Sequence, residues 1–553
     1  MPDWTYHPLR RPAGALLGTG RSRRAALRAL ATLTSLPGGR RTIEAAFGHT
    51  APPPVLAGTV AGVAVVSRLG AVVPPRAARD AVRALPTQGA GLVVVAPVGP
   101  DDVEVVRRAA AGRRCPVLVR TADPAVAAAL APHVDAVLAT GAAAGGAAGA
   151  AAVELRTPSI GDALAALSDP AVAVLATPAV LVEAGPGWFQ RVSEAATPTD
   201  PVPGLRETGL RDLVRREVGR DPRRWPAWWW GACAGIGMIC AGLGAAAITL
   251  GPVLLWYDQG FLGLDREGLH GTNHLLVPFL RHDRITMAAT MVTIGVLYTG
   301  LAVGGIRRGW PWARTAYLVS GAIAFPTLFY FLAFGFVEPL HTAVVVTLCP
   351  MFVLAVRRRP PRPRWTLMAE GPEPQRRRAL LGQLLLIVTG AGLFAGGAAV
   401  SAVGLTHVFV PSDLAFLQTT SGDLHAANPR LLPFIAHDRA GFGGALMAAA
   451  VAITLLTAWG WRRGEAWLWW SLALAAVAGF VPPVAVHAVI GYTDFWHLAP
   501  VYVGIVLTAS ALALARSYLC ARPGAHGGDR GGRALRASPH VRPRGRAVRR
   551  PAR

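Results

Sequence analysis

One fifteen-residue pattern occurs twice in this chain, and the repetition constrains the fold more than any other feature. "HGTNHLLVPFLRHDR" (270–284) and "HAANPRLLPFIAHDR" (425–439) share H-x2-N-x4-P-F-x2-H-D-R at a constant offset of 155. The matched pairs are His270/His425, Asn273/Asn428, Pro278/Pro433, Phe279/Phe434, His282/His437, Asp283/Asp438 and Arg284/Arg439. Asn273 and Asn428 are the only asparagines in 553 residues, and agreement this long implies an internal duplication. "RRGWPW" (307–312) aligns with "RRGEAW" (462–467) at the same offset. "GFVEPLH" (335–341) aligns with "GYTDFWH" (491–497) after one extra residue, pairing Glu338 with Asp494 and His341 with His497.

The motifs interrupt long apolar runs. With 52% hydrophobic residues and a mean hydropathy of +0.40, the chain is too apolar for a soluble enzyme of its length. Eight runs stand out: 229–256, 285–306, 315–337, 340–356, 379–408, 440–461, 466–490 and 498–516. Most reach the ~20 residues needed to cross ~30 Å of hydrocarbon. Each half reads as span, polar loop, span, RRG turn, span, acidic-His turn, span. An even number of spans gives both halves one orientation, so the expected fold is an all-α polytopic membrane domain of two parallel four-helix repeats, 228–365 and 366–517.

The formal charge of +24 comes entirely from arginine, since the chain has no lysine. Arginines gather beside the apolar runs: Arg223/Arg224, Arg307/Arg308, Arg357 to Arg359 with Arg376 to Arg378, Arg462/Arg463 and the tail from Arg516. With eight spans they all fall on one side, which identifies it as cytoplasmic and places both termini there. The expected location is the cell membrane, multi-pass. The expected partners are the lipid bilayer and, at the arginine clusters, anionic lipid headgroups. No base-reading motif accompanies the charge, so nucleic acid is not expected. Residues 201–227 read as a basic linker and 518–553 as a basic disordered tail. Five scattered cysteines (Cys115, Cys233, Cys240, Cys349, Cys520) form no C-x2-C pair and suggest neither a disulfide framework nor a thiolate zinc site. "MPDWTYHPLRRP" has no signal-peptide core, which leaves the first domain in the cytoplasm.

Residues 1–200 alternate short apolar runs ("AGLVVVAPV", "CPVLVRT", "VDAVLAT", "VAVLATPAV") with Ala- and Arg-rich helical stretches. That rhythm predicts an α/β domain with a buried parallel sheet, and "ATGAAAGGAAGAAAVEL" reads as a low-complexity loop. "YHPLRRPAGALLGTGRSRRAALRAL" and "RLGAVVPPRAARDAVRALPTQGAGLVVVAPVGP" resemble the beginning of a membrane-associated, class 2 dihydroorotate dehydrogenase. "AVAVLATPAVLVEAGPGWFQRV" (171–192) resembles the end of the same domain. The resemblance covers about 195 residues and implies a TIM-barrel-like fold with a shortened middle, truncated relative to the family's flavin-binding (β/α)8 barrel. It also implies FMN as a cofactor, with Gly161 and Thr177 near the family's phosphate-binding backbone and Arg76 where the family has a lysine. This chain departs from the family at Val72-Val73-Pro74-Pro75-Arg76, and the domain has no asparagine to grip an orotate ring. The domain is therefore expected to be an inactive sensing or scaffolding module; the alternative is a quinone-linked flavin oxidoreductase.

On the non-cytoplasmic face the topology collects His270, His282, Asp283, Glu338 and His341 with His425, His437, Asp438, Asp494 and His497. Imidazole with carboxylate suits a divalent metal such as zinc, copper or iron, and equally a proton or small-ligand site. In the structural alternative His-Asp caps the start of a span and the arginine pairs with a carboxylate of the neighbouring loop. A transporter is a third possibility, disfavoured by spans that contain almost no charge. His274 aligns with Pro429 and is the least attractive ligand, while His407 and His487 have no repeat partners and read as packing or hydrogen-bonded residues. Thr272→Cys and Ala427→Cys, in a chain freed of its own cysteines, are expected to react with an impermeant thiol reagent outside intact cells. Labelling only after lysis would overturn the arginine-based orientation.

Overall fold

The computed structural model describes residues 3–46, 52–139, 152–185, 187–200, 210–327, 336–358, 361–369 and 371–522. Residues 140–151 of the low-complexity stretch, most of the basic tail and residues 328–335 of the third apolar run therefore lie outside the described residues, while 152–155 of the low-complexity stretch form a strand rather than a loop.

The first 200 residues fold around six strands: β1 Leu69–Val73, β2 Leu92–Val95, β3 Val117–Thr121, β4 Ala136–Ala139, β5 Ala152–Leu155 and β6 Ala173–Ala176. All neighbouring pairs are parallel, in the order β4-β3-β2-β1-β6-β5. Runs such as "LVVV" are buried throughout, as strands covered on both faces must be. The last strand returns beside the first, so with right-handed crossovers every connection winds the same way and the helices share one face. This is the winding of a barrel, left open between β4 and β5 as a half-barrel. Its inner face (Val72, Leu92, Val94, Leu118, Leu175) is covered by the hairpin Gly58–Val60/Val63–Val65 through Val60 and Val65. Asp123, Ser159 and Thr177 cap the helices that follow β3, β5 and β6 with a side-chain oxygen.

Among the described residues beyond the linker are eight long helices: α1 Ala227–Leu250, α2 Leu276–Arg308, α3 Pro311–Thr327, α4 Pro339–Arg357, α5 Glu373–Leu405, α6 Leu431–Gly460, α7 Ala466–Ile490 and α8 Phe495–Leu519. Among the described residues seven, all but α3, are long and apolar enough to cross a bilayer, which supports a multi-pass membrane protein. α2 and α6 lie at the centre: 67% and 61% of their most apolar stretches are buried in protein, against 28% or less for the other five. Small residues allow the close contacts that hold helices together in lipid. A Cβ on Gly235 of α1 would meet Thr299 of α2, and one on Gly390 of α5 would meet Thr454 of α6, 155 residues on in both cases. α3 packs on α6, where Ser320 Oγ donates to Ala448 O at 2.9 Å. α7 packs on α2, where Thr293 Oγ1 donates to Ala475 O at 3.2 Å. The third helix of each half thus packs against the second helix of the other.

Two expectations need correction. α2 and α6 begin at Leu276 and Leu431, nine residues before the apolar runs that mark them, because the H-D-R triplets are inside the helices. The linker contains a helix, Leu210–Glu217, whose Glu217 receives Arg307 at 2.9 and 3.0 Å. Arg307, Arg376 and Arg462, expected at lipid headgroups, are buried in protein instead, Arg307 against the linker helix and Arg376 and Arg462 against the βα domain. Arg462 forks onto Glu194 while its guanidinium stacks 4.2 Å over Trp310. Arg376 and Arg191 both bind Asp3. Burial alone would raise the Asp3 carboxyl, but the two guanidiniums more than offset this and hold it well below its usual 3.8. Its contribution is fully present above that usual value and is lost only as pH falls toward the depressed one. Arg462→Ala leaves Glu194 buried and uncompensated, so a loss of about 3–5 kcal/mol is expected, read as a lower Tm and faster proteolytic release of the βα domain. An unchanged Tm and proteolysis rate would show that the domain is held elsewhere.

Candidate functional site

Each repeat motif is a short helix, a turn and the start of a long helix rather than a polar loop. The short helices Arg266–Thr272 and Ser421–Ala427 end at Asn273 and Asn428. Asn273 Oδ1 accepts from Leu275 N at 2.8 Å and Asn428 Oδ1 from Arg430 N at 2.9 Å, closing the turn. Their amide nitrogens reach into the opposite half: Asn273 Nδ2 donates to Leu417 O at 2.8 Å, Asn428 Nδ2 to Leu262 O at 2.9 Å. Only an amide side chain can accept and donate in this way, because a carboxylate has no donor.

The H-D-R triplets lie in the second turn of α2 and α6, too deep to cap either helix. Arg284 Nε donates to Asp438 at 2.9 Å, and Arg439 Nε donates to Asp283 at 3.0 Å, so the two halves exchange guanidiniums. Each arginine also binds a carboxylate of its own half, Asp258 for Arg284 at 3.2 Å and Asp413 for Arg439 at 2.5 Å. Each then takes a backbone carbonyl at 2.7 Å, from Val253 and Val408 respectively. Those two valines have φ of 71° and 65°, a conformation a β-branched residue rarely adopts. Strain of this kind costs roughly 1–3 kcal/mol and persists only where the surroundings enforce it, here to aim a carbonyl at an arginine. The arginine–carboxylate pairing expected from the sequence is therefore present, but between halves and inside the protein. Four buried carboxylates face two guanidiniums, a formal excess of two negative charges.

Two triads flank this network, at the end of the bundle remote from the βα domain. His282, His487 and His497 bring one ligand atom each to within 4.8 Å of one another, and so do Glu338, His341 and His437. Both are assembled across the halves: His282 of α2 meets residues of α7 and α8, and His437 of α6 meets residues at the start of α4. His437 Nδ1 is hydrogen-bonded to the Asp438 carboxylate at 3.0 Å, and His282 Nδ1 lies 3.0 Å from Asp283 without hydrogen-bond geometry. His487 Nδ1 lies 2.7 Å from Pro483 O, and a carbonyl only accepts, so that nitrogen carries the proton. Its Nε2 lone pair is then free, and among the described residues this buried atom has no hydrogen-bond partner. In the other triad Glu338 receives Tyr257 OH at 3.1 Å and lies 3.4 Å from His341. Burial pushes the Glu338 carboxyl up, but His341 beside it more than compensates and keeps it below the ordinary value.

The structure divides the ten outer-face candidates. His282, Glu338, His341, His437 and His497 enter triads; Asp283 and Asp438 support them from behind. His270 and His425 are exposed on the short helices, outside both triads, and Asp494 caps α8 by accepting from His497 N at 2.7 Å. His487, expected as a packing or hydrogen-bonded residue, does bond Pro483 O and is also a triad member, because the end of α7 turns it toward α2. Asp258 and Asp413 were missed, although both carry the 155-residue offset along with Phe261/Phe416 and Leu262/Leu417. In the βα domain Arg76, Gly161 and Thr177 follow β1, β5 and β6, three adjacent strands, at their C-terminal ends. Arg76 is exposed, and the Thr177 hydroxyl is engaged, donating to Leu155 O at 3.0 Å and capping Val180 N. No protein-family model, curated protein or solved structure matches the chain.

Arg284→Ala strands Asp258 and Asp438 in the interior and is expected to cost about 3–5 kcal/mol. The exposed Arg266→Ala on the same face should leave the Tm unchanged. Equal melting of the two variants would show that the crossed pairs do not hold the halves together.

Proposed function

We propose that the chain is an eight-span membrane protein of two parallel four-helix repeats that binds divalent transition-metal ions on its non-cytoplasmic face. The observation that carries this reading is the pair of triads, in which His282 and His497 correspond to His437 and His341 and each set is completed by the opposite half. Three imidazole nitrogens in one, and two imidazoles with a carboxylate in the other, are donor sets of the kind that hold zinc and leave a position open. Asp438, hydrogen-bonded to His437, is the kind of outer partner that orients a ligating imidazole and raises its basicity, and Asp283 stands at the same distance from His282. The buried network's excess of two negative charges also favours cations at the flanking triads, since an uncompensated buried charge is costly. The duplicated motif, the exchanged arginine pairs and the exchanged third helices support the parallel repeat.

In this reading the βα domain is a scaffold descended from a flavin-binding barrel and no longer a dehydrogenase. Its winding supports the descent. Its six strands, against eight in a closed barrel, and the engaged Thr177 hydroxyl argue against a complete phosphate cradle. Gly161, Arg76 and Thr177 mark where FMN would be sought, and a flavin absorption band in the purified protein would restore the oxidoreductase reading.

Metal content decides the main proposal. The full chain, purified in detergent and equilibrated with zinc, is expected to carry two equivalents, one per triad. His487→Ala should remove one and His437→Ala the other, and binding should weaken below roughly pH 6 as protons compete for imidazole. A double variant that retains both equivalents would leave the triads as packing and overturn the proposal.

A further inference from the structure

One difference between the two halves leaves a buried carboxylate oxygen without a partner among the described residues. In the second half Asp413 is fully used: Oδ2 accepts from Val410 N and Arg439, and Oδ1 accepts from Tyr492 OH at 2.9 Å. In the first half Asp258 Oδ2 does the same work, accepting from Leu255 N at 2.9 Å and from Arg284. Its Oδ1, in a side chain only 1% exposed, has no hydrogen-bond partner among the described residues. The residue corresponding to Tyr492 is Phe336, and its ring occupies the corresponding place. Phe336 lies 4.6 Å from Phe261 and 5.3 Å from His437, as Tyr492 lies 4.7 Å from Phe416 and 5.6 Å from His282. The one hydroxyl that satisfies this position in the second half is absent from the first.

A cavity of about 230 Å³ has Asp258 in its wall, and a small turn of that side chain brings Oδ1, closed off as the structure stands, to face it. Its polar end carries Asp258, Arg284, Glu338, His341, Asp438 and Tyr257, and its long side is apolar, formed by Met238, Met287, Met291 and Ile248 among others. It runs among helices that face lipid, so its apolar limb is suited to a hydrocarbon chain and its polar end to a headgroup. Three carboxylates against one guanidinium disfavour an anionic head. A neutral hydroxyl donor is what the second half itself uses at the same position, and a buried carboxylate oxygen without a partner is costly until such a donor arrives.

We infer that the first half holds a bilayer-resident amphiphile with an uncharged, hydroxyl-bearing headgroup, its hydroxyl donating to Asp258 Oδ1 and its chain lying along α1 and α2. The inference does not require metal at the triads, although Glu338 and His341 of one triad also line this cavity, so its test is made on the metal-free chain. Its test uses the full chain, delipidated in detergent without added metal, and 4-dodecylphenol as the probe, with dodecanoate as the anionic counterpart of similar chain length. Saturable dodecylphenol binding is expected, at least ten-fold tighter than that of dodecanoate. Phe336→Tyr supplies the missing hydroxyl from within and should weaken dodecylphenol binding at least ten-fold while raising the Tm of the free protein. Gly244→Phe, at a cavity-lining position where an added Cβ meets nothing within 4 Å, should block the apolar limb and weaken binding comparably without touching the polar end. Dodecanoate binding as tightly as dodecylphenol, or dodecylphenol binding unchanged in both variants, would overturn the inference.

Discussion

The exchange of arginines between the halves is the interaction on which the far end of the membrane bundle depends. Arg284 and Arg439 each bind a carboxylate of the opposite half, a carboxylate of their own half and a carbonyl on a strained valine. Low-dielectric surroundings make these contacts strong, and they make any unpaired member expensive. Because each guanidinium is committed to three acceptors, α2 and α6 are fixed against each other in one register. That register places His282 and His437 where helices of the other half can complete their triads. Asn273 and Asn428 reinforce the arrangement from the turns outside.

This arrangement explains why a chain with so little charge in its spans keeps H-D-R inside two of them. A charged residue facing lipid would be costly, and these face only protein. The same enclosure leaves two carboxylates beyond those the arginines neutralise. The flanking imidazoles are the nearest groups able to meet that excess, by protonation or by holding a cation. The asymmetry between Tyr492 and Phe336 follows the same logic, since an oxygen satisfied by protein in one half is left for an outside donor in the other.

At the opposite end, buried arginines serve a different purpose. Arg307, Arg376 and Arg462 lie where a topology argument places basic residues, yet their partners are Glu217, Asp3 and Glu194 rather than headgroups. A positive flank can orient a span during insertion and still be neutralised by protein once the domain docks. Residue type indicates the side of the membrane; the partner depends on what covers that side.

The sequence by itself determined the apolar helices, the duplication and the chemical character of the conserved-spacing positions. It did so because lipid demands long apolar runs and because two copies of one pattern expose what both retain. The alternation of short β-branched runs likewise determined a parallel βα domain. Only the tertiary structure decided that the motif is helical rather than a loop, since H-D-R reads as polar until its partners from the other half are seen. It alone brought in His487, Asp258 and Asp413, and set aside His270, His425 and Asp494. Spacing along a chain orders residues within one half, whereas these sites are made between halves, where packing sets the distances.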